Sequence, residues 1–138
     1  MEALPDDDCF AIRQAARYVS QLYDRHMAQV GLTITQFSIL SRIKRAAPMT
    51  MKQLADEMVM ERTTLVRALQ PLHRDGLLLR GNPEANSRGL ALRLTESGEA
   101  KLVEARLRWR AAQEEFERRF GAQRAASLRL ELFAMTKA

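Results

Sequence analysis

Residues 50–78 have the sequence TMKQLADEMVMERTTLVRALQPLHRDGLL, and this stretch decides the fold. Its pattern predicts two helices joined by a tight turn. Thr50 and Gln53 have the spacing of a capping box, in which each side chain satisfies a free backbone N–H of the first helix. The second helix begins near residue 61 or 62 and carries apolar side chains on one face, at Leu65, Ala68, Leu69 and Leu72. The pair is typical of a helix-turn-helix.

The other face of the second helix is polar, with short hydroxyl groups near its start and long hydrogen-bond donors behind them. Such side chains suit the base edges and phosphates of DNA. Candidates for base contact are Thr63, Thr64, Arg67 and Gln70, with Arg62 beside them. Candidates for contact with phosphate or the minor groove are Thr50, Lys52 and Arg74. The alternative is an amphipathic helical hairpin whose polar face is only solvated.

Residues 77–95, LLLRGNPEANSRGLALRLT, follow at once and predict a β-hairpin. Leucines occupy every second position from 90 to 94, so they lie on one side of a strand. Asn-Pro and Ser-Arg-Gly mark a long exposed tip, where Asn86 and Arg88 complete the candidate DNA contacts. A helix pair followed by a basic hairpin is a winged helix-turn-helix.

Composition limits the class of protein. The chain has 138 residues, of which 46% are hydrophobic, so we expect one domain with a packed core. The net charge is +5, and the excess comes from arginine, which favours bidentate contacts with phosphate or guanine. A single cysteine, Cys9, excludes an intrachain disulfide. No apolar run approaches the ~18 residues of a membrane span, and the acidic start is unlike a signal peptide, so we expect a cytoplasmic protein without a membrane partner.

The two ends of the chain predict long apolar helices. We expect one from Cys9 to about Gln29, one from Thr95 to about Phe120, and a last one from Ala122 to about Lys137. The middle helix, at ~1.5 Å per residue, approaches ~40 Å, which is longer than this core covers alone. The terminal helices therefore pack either against their own domain or against a second copy of the chain, and the pattern leaves both open.

Four segments of the sequence resemble the MarR-type transcriptional regulators, and together they extend over nearly the whole chain. They are GLTITQFSIL at 31–40, MKQLADEM at 51–58, ERTTLVRALQPLHRDGLL at 61–78 and RLTESG at 93–98. The wing departs from the family pattern, because Asn86 stands where an Asp usually precedes the Arg by two residues.

The resemblance implies a fold that is mainly α with a small β-hairpin wing, a winged helix-turn-helix with long N- and C-terminal dimerisation helices. It divides one continuous domain into an N-terminal dimerisation arm, 1–32, a DNA-binding region, 33–94, and C-terminal dimerisation helices, 95–138. It implies a homodimer that binds double-stranded DNA. Two-fold symmetry would place the recognition helices roughly 34 Å apart, matching successive major grooves of a pseudo-palindromic site.

The resemblance also implies an effector pocket, and the expected function is a repressor released from its operator by a small molecule. Arg13, Arg17, Tyr23 and Phe37 lie on the helices that line this pocket in the family, with His26 nearby. Cations beside aromatic rings suit a small aromatic or phenolic ligand. The alternative is that these arginines and the histidine are solvated surface residues.

Cys9 raises a second possibility for regulation. Its position, followed by Tyr23, resembles the organic-hydroperoxide-sensing branch of the family, in which tyrosine hydroxyls hold a lone N-terminal cysteine. Only Tyr23 matches, because Arg13, Ile34 and Phe37 occupy the other tyrosine positions. A thiol-based peroxide-sensing repressor is therefore an alternative, beside a Cys9 that is a small hydrophobic residue or serves other thiol chemistry.

The sequence argues against other classes of function. Cys9 and His26 are about 25 Å apart along one helix at ~1.5 Å per residue, so they form no catalytic pair within a chain. The spacing of two histidines and one cysteine makes no metal site, and no glycine-rich phosphate loop points to a cofactor. We expect neither an enzyme nor a cofactor. A helical module that binds only protein would not need arginines and hydroxyls concentrated on one helix.

Overall fold

A computed structural model describes residues 6–80 and 91–137 of the chain. In order, the helices and strands are α1 Asp8–Met27, a short 3-10 helix Ala28–Val30, α2 Ile34–Ala46, α3 Met51–Met58, α4 Arg62–Arg74, β1 Leu78–Arg80, β2 Leu92–Leu94, α5 Glu96–Phe120 and α6 Ala122–Thr136. The order of elements confirms the predicted fold, mainly α with a small antiparallel β-hairpin. The helix ends agree with the predicted ends to within about two residues.

Local side-chain caps fix where the helices start. Capping boxes are present at two helix starts: Thr33 and Gln36 begin α2, and Thr50 and Gln53 begin α3 as predicted. In each box the threonine hydroxyl accepts a hydrogen bond from the glutamine backbone N–H, and the glutamine side chain accepts one from the threonine N–H. Helix α3 has only eight residues, and residues 59–61 form the short turn that joins it to α4.

The main core lies between α2, α3, α4, the hairpin and the first half of α5. Its fully buried side chains include Leu40, Ile43, Leu54, Leu65, Leu72, Leu92 and Leu102. In β2, Leu92 and Leu94 are buried and Arg93 is exposed, as the predicted alternation requires. Leu92 also forms a bridge with Met49, which ties the hairpin to the start of the helix-turn-helix.

The terminal helices form a second, smaller layer. Helix α1 packs along α5, where Leu22, Tyr23 and Ala112 are buried together. Helix α6 buries Ala125 and leaves most of its apolar side chains in solvent. The exposed large apolar residues on α1 and α6 are Phe10, Ile12, Tyr18, Leu128, Leu130, Leu132, Phe133 and Met135. Helices α1 and α6 therefore leave an apolar surface exposed to solvent.

Candidate nucleic-acid interface

Helix α4 divides sharply into a buried and an exposed face. Leu65, Leu69 and Leu72 are at most 2% exposed and anchor the helix in the core. The opposite face consists of exposed side chains that were predicted to contact DNA, namely Arg62, Thr63, Thr64, Arg67, Gln70 and Arg74. Anchoring by the leucines fixes which side of α4 faces solvent, so these donors project from one side of the helix. We call this surface the reading face.

Two arginines on the reading face are free to bind a nucleic acid. Among the residues that the structure describes, Arg62 and Arg67 have neither an ion-pair partner nor a side-chain hydrogen bond. Arg74 lies 3.5 Å from Asp75, and Lys52 on α3 lies 3.0 Å from Asp56. These two pairs are exposed, and exposed pairs contribute little, so a DNA phosphate could replace the carboxylate.

Thr50 has a structural role beside the predicted phosphate contact. It is half-buried, and its hydroxyl oxygen accepts the hydrogen bond from the Gln53 N–H at 3.0 Å. The hydroxyl proton is still available to a phosphate oxygen, so capping and phosphate binding are compatible. The predicted contacts Asn86 and Arg88 lie outside the described residues.

Two residues near the reading face were not among the predicted contacts. Arg93 is exposed on β2, between two buried leucines, and Val66 is 43% exposed on α4. The strand alternation already placed the side chain of Arg93 outward. Val66 is an exposed apolar side chain among the polar residues of α4, and its methyl groups would suit contact with the methyl group of thymine.

The predicted effector residues do not line one cavity in the protomer. Tyr23 borders an apolar groove of about 610 Å³ between α1 and α6, where its hydroxyl donates a hydrogen bond to Gln113 at 2.5 Å. Burial raises the pKa of Tyr23 above its ordinary value of 10.0. Phe37 borders a different cleft, between α2 and α5. Arg13 and Arg17 are exposed on α1 and have no ion-pair partner among the described residues.

The cleft between α2 and α5 is strongly basic. It has a volume of about 510 Å³ and is lined by Phe37, Ser38, Ser41, Arg42, Lys44, Arg45, Arg106, Trp109 and Arg110. The rings of Phe37 and Trp109 stack with centroids 6.3 Å apart and an interplanar angle of 17°. The family resemblance predicted Phe37 as a pocket residue but none of the cations of this cleft, which come from two helices that are distant in the chain.

His26 joins α1 to α5. Its Nε2 lies 2.7 Å from Oε1 of Glu115, and Oε2 of Glu115 pairs with Arg119 at 2.7 Å. The hydrogen bond with His26 is the largest cause of a lowered pKa at Glu115, with Arg119 contributing. His26 is therefore a half-buried residue that links α1 to α5, and its role beside an effector stays a prediction.

Cys9 is exposed at the start of α1. Tyr23 lies fourteen positions further along the same helix, about 21 Å at ~1.5 Å per residue, so it does not reach Cys9 within a protomer. Among residues 6–80 and 91–137, no group of His, Cys, Asp and Glu is arranged to hold a metal ion. No helix in these ranges is long and apolar enough to cross a membrane.

Comparison with known proteins agrees with this architecture. The MarR family model matches residues 32–90. The transcriptional regulator MosR of M. tuberculosis, solved in complex with DNA, is 37% identical, with a TM-score of 0.77 over 94% of this chain and 97% of that chain. A second MosR structure is 35% identical, with a TM-score of 0.78 over 96% and 98% of the two chains.

Two further relatives are more distant. The HTH-type transcriptional regulator SarZ of Staphylococcus aureus is 25% identical over 92 residues, which are 67% of this chain and 62% of SarZ, so the match spans less than two thirds of that curated relative. Wild-type MarR of E. coli, in its apo form, is 24% identical and shares the fold, with a TM-score of 0.74 over 97% and 98% of the two chains.

Proposed function

Because the chain belongs to the MarR family of DNA-binding transcriptional regulators, we propose that it acts as a homodimeric repressor on a pseudo-palindromic operator. The observation that carries the proposal is the reading face, where free arginines stand beside hydroxyls on a helix anchored by leucines. The family and the relatives named above are transcriptional regulators, not enzymes, in agreement with the predicted absence of enzymatic activity.

The side chains of the reading face fall into two groups, one suited to base contacts and one suited to phosphate contacts. Thr63, Thr64, Arg67 and Gln70 lie where base edges would be read when α4 enters the major groove. Arg62, Arg74, Lys52 and Thr50 surround them and would bind phosphates, which positions the helix without specifying sequence. Asn86 and Arg88, in the wing tip, would contact the adjacent minor groove or backbone.

The apolar terminal helices support a homodimer. Leu128, Leu132 and Phe133 line the groove between α1 and α6, which would be closed by the same helices of a second copy. The arm 1–32 and the segment 95–138 would then form the dimer interface, and 33–94 would form the DNA-binding region. Two DNA-binding regions related by two-fold symmetry would match a pseudo-palindromic site.

A small aromatic or phenolic effector would release the repressor from DNA. Its binding between the dimer arms and the readers would change the separation of the two α4 helices. A change of an ångström or two would misplace several charge-assisted contacts at once, because all of them are carried by one helix. The exposed position of Cys9 favours one alternative, in which organic peroxide oxidises its thiol to release DNA. Loss of peroxide sensitivity in Cys9→Ser, with unchanged DNA affinity, would support it.

Fluorescence anisotropy tests the proposal. The DNA upstream of the gene for this protein serves as the probe, scrambled DNA as the competitor, and the salt concentration is varied. We expect a preference of at least ~10³ for the native probe and a steep loss of affinity with salt. Arg67→Ala should lower the preference, whereas Arg118→Ala, an exposed arginine on α5, should leave it unchanged. Binding that ignores sequence, or is equal in both variants, contradicts the reading-face assignment.

A further inference from the structure

Val66 interrupts the polar surface of α4 at the reading face. Among the described residues of this helix it is the only large apolar side chain that is exposed, at 43%. Arg62 and Gln70 are four residues before and after it, so both lie next to it on the same side of the helix. Val66 also lies in the N-terminal part of α4, from which recognition helices contact base edges. Its methyl groups are therefore among the side chains proposed to meet DNA.

The surface beside Val66 is hollow and largely apolar. A cavity of about 220 Å³ lies between α4, the first residue of α3 and strand β2. Its lining joins the buried Leu69 and Leu92 and the half-buried Met51 to the exposed Val66. Arg62, which has no ion-pair partner in the part of the chain that the structure describes, lines it as well. A small apolar group attached to an anionic polymer would therefore meet apolar surface here, with a cation beside it.

The chemistry of the bases selects the group that Val66 can contact. In the major groove, guanine, adenine and cytosine present hydrogen-bond donors and acceptors to a protein, whereas thymine also presents a C5-methyl group. A valine that faces one of the first three bases would desolvate polar atoms without bonding to them, which is unfavourable. A valine that faces thymine buries methyl groups against a methyl group, which is favourable. Of the four bases, thymine is therefore the one that Val66 complements.

The side chain of Val66 is also well ordered before DNA binds. A β-branched side chain in a helix has one strongly preferred χ1 rotamer, so the backbone of α4 fixes the positions of both methyl groups. The long side chains of Arg67 and Gln70 lose much more rotamer freedom when they become ordered at an interface. A contact through Val66 thus costs little conformational entropy, and its geometry follows from the anchoring of α4 by Leu65 and Leu69.

We propose that Val66 determines specificity at one base pair of each operator half-site, by packing its methyl groups against the C5-methyl group of a thymine. The inference rests on the proposed function, because it requires α4 to enter the major groove, and it adds a feature of the operator sequence. Thr63 and Thr64 carry a methyl group too, but each has a hydroxyl that can bond to any base edge, so neither selects thymine by exclusion. Burial of one methyl group corresponds to about a 4-fold change in affinity for each half-site.

Deoxyuridine tests this methyl contact alone. In place of thymidine it removes only the C5-methyl group, and it pairs with adenine in the same way. Each thymine of the operator bound in the anisotropy experiment is replaced in turn, at equivalent positions of the two half-sites. At one of these positions we expect the affinity to fall by about 4-fold per half-site, or about 15-fold for both.

Matched valine variants assign that loss to one residue. Val66→Ala removes two methyl groups and introduces a good helix former, so the fold should persist. In this variant the same deoxyuridine substitution should cost less than ~2-fold, because the methyl group no longer has its partner. Val103→Ala makes the same change at an exposed valine of α5, outside the reading face, and should keep the full loss. Circular dichroism and light scattering check that both variants keep the helix content and mass of the wild type.

Two outcomes would overturn the inference while the proposed function stands. Sequence-specific binding with no loss at any deoxyuridine would mean that α4 reads no thymine methyl group. A loss that is as large in Val66→Ala as in the wild type would assign the methyl contact to another residue, such as Thr63 or Thr64. Failure of the wild type to prefer the unmodified operator over scrambled DNA would contradict the proposed function and this inference together, so the two kinds of failure are distinguished.

Discussion

Val59 has a backbone conformation that β-branched residues avoid. It ends α3 with φ 53° and ψ 50°, in the left-handed region, and its side chain is 71% exposed. This conformation turns the chain from α3 toward α4, so it sets the angle between the two helices of the helix-turn-helix. Left-handed backbone costs an L-residue about 1–2 kcal/mol, and the exposed side chain recovers little of this by packing.

Replacing Val59 by glycine should stabilise the protein by about 1 kcal/mol, because glycine adopts this conformation without strain and loses somewhat more backbone entropy on folding. Val59→Ala keeps a Cβ at the same φ and should change the free energy of unfolding much less. Urea unfolding measures both. Equal gains in the two variants would mean that the Val59 side chain, and not its backbone, is the source of strain.

Gly98 is required where α5 begins, for a different reason. A Cβ on this residue would overlap the carbonyl oxygen of Leu77, which already accepts the Thr95 N–H. In an ordinary helix Gly→Ala is stabilising, but here we expect Gly98→Ala to destabilise by about 2 kcal/mol through overpacking. Ser97→Ala, one position away on the exposed side, should be nearly neutral. Thermal unfolding distinguishes them, and a stabilised Gly98→Ala would contradict the steric argument.

Ionisation of Glu115 should make the stability of the folded chain depend on pH in the acidic range. Its pKa is lowered in the folded chain, chiefly by the hydrogen bond with His26, so its contribution is present above the ordinary value of 4.5 and is lost as the pH falls below it. Glu115→Gln should therefore be less stable than wild type near neutral pH and indistinguishable from it in acid. Glu114→Gln, exposed beside it, is the control. A constant difference at every pH would exclude ionisation as the cause.

The helices differ in how far short-range patterns define them. Thr33 with Gln36 and Thr50 with Gln53 are local boxes, so the starts of α2 and α3 could be predicted from four residues each. The packing between α1 and α5 could not, because His26 and Glu115 are 89 residues apart. Such pairs depend on helix packing, which periodicity does not specify.

The same contrast separates the reading face from the basic cleft between α2 and α5. The reading face follows from one helix, since its polar residues are those that the leucine spacing leaves outside. The basic cleft needs Arg45 and Arg106 from two helices, and only their packing brings these charges to one cavity. Predicted effector residues such as Tyr23 and Phe37 were on suitable helices, yet they face different cavities.

Loss of the hydrogen bond that caps α3 should lower the stability of the helix-turn-helix. Thr50→Ala removes the hydroxyl that accepts the Gln53 N–H, so we expect a loss of about 1 kcal/mol in the free energy of unfolding. Thr50→Ser keeps a hydroxyl in the same place and should retain most of the stability. Urea unfolding at neutral pH measures both. A serine variant as unstable as the alanine variant would show that the methyl group, not the cap, matters.

The ends of the chain carry an apolar surface that one protomer does not cover. Leu132 is 41% exposed and borders the groove between α1 and α6. A charge at this position would be buried in the proposed dimer without a partner, which is strongly unfavourable. In the proposed dimer, apolar contacts would have to outweigh the repulsion between two chains that each carry a net charge of +5.

Leu132→Glu should convert the proposed dimer to a monomer and lower operator affinity by about 100-fold or more, since the second half-site contact is no longer intramolecular. Leu132→Met keeps an apolar side chain of similar volume and should preserve both properties. Light scattering after gel filtration gives the mass, and anisotropy gives the affinity. A Leu132→Glu protein that remains dimeric would exclude this groove from the interface.

Thr95 links the start of α5, the longest helix, to the end of the helix-turn-helix through hydrogen bonds. Its hydroxyl donates to the Gly76 carbonyl at 2.6 Å and accepts from the Gly98 N–H, and its own N–H bonds Leu77. The 25 residues of α5 extend about 37 Å from this link. Because α5 is this long, a tilt of the helix by about 3° at Thr95 displaces its C-terminal end by about 2 Å. A displacement of α5 near Phe120 would therefore change the angle of α4, the helix proposed to contact DNA, so a small change far from the reading face would reorient that face.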